Sequence, residues 1–170
     1  MLCRGPRLAA CSFARGSGVL EWADAAMLFV TVLPQGHRAQ RYPNRFACHA
    51  AAPGPPGGPS ARARIEMTFF LRRGQTVEHP GVRRLLGSEL VSKPPEAASA
   101  GGSRTPPVVL LLCRPSRGPY VLCGRVRATA LEVGAGAGQS TITWELEDAE
   151  ALLEFPDFLE LLRVQGVAAA

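Results

Sequence analysis

The sequence predicts an α+β fold: a small antiparallel β-meander with two short helical segments packed on it. Three observations carry that prediction. From Val108 to Leu162 the chain reads strand, turn, strand, glycine loop, strand and acidic helix with almost no interruption. Ser140–Leu146 alternates polar and apolar residues with a period of two, the mark of a half-buried strand. Leu152, Leu153, Phe155, Phe158, Leu159 and Leu162 then recur at helical spacing, with Pro156 marking the junction of two short helices.

In chain order, residues 1–60 come first. They hold six Arg against only Glu21 and Asp24. A basic, acid-poor segment of this kind is expected to be an organellar transit peptide, disordered, unpacked against the domain and removed on import into a plastid or mitochondrion. Its best apolar run, Ala25–Leu33, is nine residues, well short of the ~20 that a membrane-spanning helix needs. No membrane span is expected. Pro53–Ser60 closes the segment as a Pro/Gly linker.

The folded part is expected over residues 61–165. Ile65–Leu71 reads as a strand that joins the meander. Pro80 suits a helix start, where its missing N–H costs little. Val82, Leu85 and Leu86 follow at i, i+3 and i+4, so Pro80–Leu90 is an amphipathic helix, with Gly87 a possible early end. His79, just ahead of it, reads as a surface or capping residue. Residues 92–107 are polar and rich in Pro and Gly, a flexible surface insertion.

Val108–Cys113 is a short apolar strand closed by the turn residues Arg114–Pro119. Tyr120–Val133 is a long β-branched strand, with Gly124 as a gap or bulge. Alternation assigns its even-numbered residues Tyr120, Leu122, Val126, Ala128 and Ala130 to the core, and Arg125 and Arg127 to the outside. On the next strand Ile142, Trp144 and Leu146 go inward. The register that seats Trp144 over Ala130 places Glu147 opposite Arg127 and Glu145 diagonal to it. Gly134–Gly138 lacks the Lys-Ser/Thr of a phosphate-binding loop and reads as a hairpin connection. Asp148 stands where a helix N-cap belongs.

Five cysteines, at 3, 11, 48, 113 and 123, show no CxxC pair and no zinc spacing. A hairpin pairing Cys113 with Tyr120 sends Cys123 to the opposite face. No disulfide is expected between them, and buried free thiols follow.

Charge is unevenly distributed. Residues 61–127 hold twelve Lys plus Arg against four acids, whereas residues 128–170 hold one Arg against eight acids. Two physical readings exist: an anionic partner for the basic part, or basic strands neutralised by the acidic segment that follows. Catalysis has no visible carrier. No Ser-His-Asp or Cys-His arrangement is present, no catalytic or metal-ligating residues can be named, and no cofactor is implied. The function expected is a non-catalytic binding or assembly module with a protein partner. The alternative is an RNA- or ribosome-associated module, in which Arg72, Arg73, Arg125 and Arg127 track a phosphate backbone while Tyr120 stacks a base.

Overall fold

The computed structural model describes residues 12–13, 18–22, 24–32, 44–50, 63–71, 76, 78–90, 107–134 and 140–168. In chain order these form β1 (Ser12–Phe13), β2 (Val19–Glu21), β3 (Ala25–Thr31), β4 (Arg45–His49) and β5 (Arg64–Phe70). There follow α1 (Pro80–Leu90), β6 (Val108–Arg114), β7 (Val121–Glu132), β8 (Thr141–Leu146), α2 (Ala149–Leu152) and α3 (Pro156–Val164). The class is α+β. The sheet, however, is larger than a meander and mixed. It has eight strands in the order β1-β2-β3-β6-β7-β8-β5-β4, with β3 parallel to β6 and the other neighbours antiparallel.

Two of these strands correct the expectation that residues 1–60 are unpacked. In β3, Ala26, Leu28 and Val30 are buried at 1% exposure or less, and Phe46 of β4 is buried at 4%. The described residues of the basic segment are thus structural members of the sheet, and the packed unit does not begin at residue 61. The remaining residues up to 60, including the Pro/Gly linker after Ala52, lie outside the described residues. So does the 92–107 insertion, apart from Pro107.

The sheet curls on itself. Asn44, at the head of β4, donates from Nδ2 to the Thr31 carbonyl at the end of β3 (3.4 Å) and accepts from Phe70 N–H through Oδ1 (3.2 Å). Four strands separate β3 from β4 in the sheet, so the sheet curves enough to bring the ends of these strands together at Asn44. Twelve-residue β7 joins the two parts of the sheet, pairing with β6 through its first half and with β8 through its second. The core lies on the concave face. Leu28, Met67, Leu111, Cys113, Cys123, Ile142 and Trp144 are all fully buried there.

Two bulges in β7 decide which side chains face inward. The first sets Cys123 and Gly124 opposite Leu111, and Gly124 adopts φ +78°, a left-handed conformation that glycine tolerates best. The second inserts Thr129 between Ala128 and Ala130; its hydroxyl donates to the Thr143 carbonyl. Each bulge flips the alternation. Val121 and Cys123 face the core, then Val126 and Ala128, then Leu131. Tyr120, Leu122 and Ala130, assigned inward from sequence, are exposed. A parity rule cannot survive two insertions.

The hairpin register differs from expectation by one residue. Cys113 pairs with Val121, and Leu112 with Leu122, so Cys113 and Cys123 share the buried face instead of opposing ones. Both remain free thiols. Burial first, and the neighbouring Cys123 thiol second, push the Cys113 pKa well up, which keeps it protonated and a poor nucleophile.

The helices cover what the curled sheet leaves open. Helix α1 packs against β7 through Val82, Leu85 and Leu86, and runs through Gly87 to Leu90. His79 caps it, accepting from Gly81 N–H at Nδ1 (3.2 Å). Helix α2 lies against β5, and α3 against β7. Asp148 occupies the N-cap position of α2 but makes no capping hydrogen bond with its side chain. Proline begins α3, as the sequence indicates. Phe158 of α3 is fully buried and meets Phe46 edge to face, with centroids 5.4 Å apart.

Gln165, just beyond α3, ties the carboxy-terminal end to β4. Only 3% exposed, it accepts from Phe46 N–H (2.9 Å) and donates to the Asn44 carbonyl (2.7 Å). Its amide thus pairs with the open edge of β4 as a neighbouring strand would. Gln165→Ala should lower stability by about 2 kcal/mol, because it strands two backbone groups in a largely buried place. The midpoint of urea unfolding checks this; an unchanged midpoint would mean that water satisfies that edge.

Candidate interaction surface

The convex face of the sheet has two halves of different chemistry. On β7, β8, β5 and β4 it is ionic. Arg127 pairs across the strands with Glu145, Glu145 with Glu66, and Glu66 with Ala47. Arg127 Nη2 lies 3.0 Å from Glu145 Oε2. Arg64 binds Glu66, and His49 Nε2 lies 3.1 Å from the same carboxylate. Arg125 lies 3.5 Å from Glu147 and 3.9 Å from Asp148. The observed register sets Ala128 opposite Trp144 and Arg127 opposite Glu145, a two-residue shift that keeps these side chains on their expected faces; past the bulge at Thr129 the shift is one residue and Ala130 turns outward.

The residues expected to contact nucleic acid are therefore divided. Arg125 and Arg127 share the convex face and are more than half exposed, yet carboxylates hold both. Tyr120 is exposed, but the Arg114 guanidinium sits over its ring at 4.5 Å and Phe29 meets it edge-on at 5.2 Å. One of its faces is thus already stacked. Arg72 and Arg73 lie outside the described residues.

On β2, β3, β6 and the start of β7 the same face is apolar. Phe29, Leu112 and Leu122 form one row across three strands, and Leu20, Met27 and Leu110 the next. Leu122 is 59% exposed and Val108 51%. Arg114 and Arg117 stand at the Tyr120 end of this patch and have no carboxylate partner among the described residues. Arg114 instead reaches Thr31 Oγ1 (3.5 Å) and the Tyr120 ring.

Sequence reasoning missed this patch because parity placed Leu122 in the core. A signal was present nonetheless. Val108–Cys113 and Ala25–Leu33 are apolar at both parities, which demands cover on two faces, as parallel strands usually have. The core covers one face of β3 and β6; the other is this patch.

A cleft of about 630 Å³ opens between the end of β8 and α2, lined by Ala63, Arg127, Glu145, Glu147, Asp148 and Glu150 among others. Its charged groups are on the solvated ionic half. Among the described residues no group of three or more His, Cys, Asp or Glu could hold a metal ion. No described helix is long and apolar enough to cross a membrane. No protein-family model, curated protein or solved structure matches the chain.

Proposed function

We propose that the chain is a non-catalytic protein-contact module whose docking surface is the apolar half of the convex sheet face. The observation that supports this most is Leu122, 59% exposed at the end of a half-buried apolar row on a face that also carries exposed Val108 and Tyr120. Folded chains rarely leave a contiguous apolar patch uncovered without a use for it. Covering Leu122 alone contributes about 1–2 kcal/mol to association. The ionic half supports the same reading from the other side. Arginines held by Glu145, Glu147 and Asp148 have less positive potential to offer a phosphate backbone. We also propose, from the acid-poor start alone, that the protein works in a plastid or mitochondrion. Import processing must then cut ahead of Ser12, since β1, β2 and β3 belong to the sheet.

The test against RNA uses the whole chain, because β3 and β4 belong to the fold. Titration with single-stranded RNA at two salt concentrations should show no salt-sensitive micromolar binding. The double variant Arg125→Ala, Arg127→Ala should change only stability, by about 0–1 kcal/mol for each exposed pair lost. Salt-sensitive binding that disappears in the double variant would overturn the protein-contact reading in favour of RNA.

A further inference from the structure

The apolar patch has a complementary feature elsewhere on the same chain. Phe155, between α2 and α3, is 59% exposed. It projects from an acidic surface: Glu150, Glu154 and Asp157 are all exposed. None of the three has a cationic partner among the described residues, whereas Glu145, Glu147, Asp148 and Glu160 all do. The patch is the converse: exposed Leu122 and Val108, with arginines at one end that lack carboxylates. An aromatic knob flanked by unpaired acids thus matches an apolar surface flanked by unpaired bases.

We infer that copies of this chain associate head to tail, with Phe155 of one copy seated on the Leu122 patch of the next. Glu154 and Asp157 then face Arg114 and Arg117. Asp24, exposed beside Val108 at the other end of the patch, repels the same carboxylates and so fixes the orientation. This rests on the reading of the patch as a protein-contact surface, and names its occupant as a second copy. Knob and patch are different surfaces, so the contact is heterologous. One such contact leaves a free patch on one copy and a free knob on the other, and these either take up further copies or meet each other to close a ring. One aromatic anchor and a few ion pairs make a small interface, which places the association in the weak class. Its charged part is screened by salt.

Sedimentation velocity of the whole chain over a wide concentration range tests this. The average mass should rise with concentration, and rise less at high salt. Leu122→Glu and Phe155→Ser each alter a side chain more than half exposed, so both variants should keep the wild-type thermal melt. Each alone should sediment as a monomer, its association weakened by about tenfold or more. Mixed in equal amounts, they should form a heterodimer and nothing larger, because the mixture holds one intact knob and one intact patch per pair. Wild-type protein that stays monomeric throughout would overturn the inference. So would a Phe155→Ser variant that assembles like the wild type, which would mean a symmetric patch-to-patch dimer. A monomeric wild type that is still captured through Leu122 by a different protein would sink self-association while leaving the docking surface intact.

Discussion

A chain that starts at Ala61 should fail to fold cooperatively. It loses β3, whose Ala26, Leu28 and Val30 are buried at 1% or less, together with Val32 and with Phe46 of β4. Their removal leaves the paired edges of β6 and β5 open and takes away Asn44, which ties the end of β3 to the end of β5. Truncating a single buried Leu to Ala costs about 2–5 kcal/mol. Losing internal strand β3 and edge strand β4 therefore exceeds the ~5–15 kcal/mol by which a domain of this kind is stable. The expected signs are a broad thermal transition, binding of a hydrophobic dye and poorly dispersed amide resonances. A sharp transition near that of the full chain would show that residues 61–170 carry the core without β3.

Trp144 is the second place where a large effect is expected. It is fully buried between Met67 on β5 and Ala128 on β7. Its indole Nε1 has no hydrogen-bond partner among the described residues. Trp144→Ala should destabilise by about 3–5 kcal/mol, through lost burial and the cavity left behind. Trp144→Phe should cost far less, about 1 kcal/mol or below, because it also removes a buried donor that nothing satisfies. Urea unfolding of the two variants separates the terms. If Phe proves as damaging as Ala, the indole N–H has a partner that matters.

The sequence carried much of the local structure. Pro80–Leu90, Val108–Cys113 and Ser140–Leu146 match their elements to within a residue, because apolar periodicity and Pro or Gly punctuation act locally. The inward set of β7 was only partly legible. Gly124 marked the first bulge, as a glycine inside a strand pattern does, but nothing in the sequence marked the second at Thr129, and each one shifts parity. β3 was hidden by composition. Arginine, alanine and glycine around it resemble a targeting segment, and its strand partner β6 lies far along the chain. The neutralisation of Arg127 was legible, since a hairpin returns the following acids to the preceding bases. The apolar surface was present in Val108–Cys113 all along, as a strand with no polar face.

Placing a photoreactive side chain at Leu122, with a control at exposed Ala47 on the ionic half of the same sheet face, tests the docking surface most directly. Irradiated in living cells, the Leu122 position should yield discrete protein adducts, and the Ala47 position should not. The mass of the adduct distinguishes a second copy of the chain from another protein. Equal yields at the two positions, or adducts to RNA at Leu122, would contradict the account.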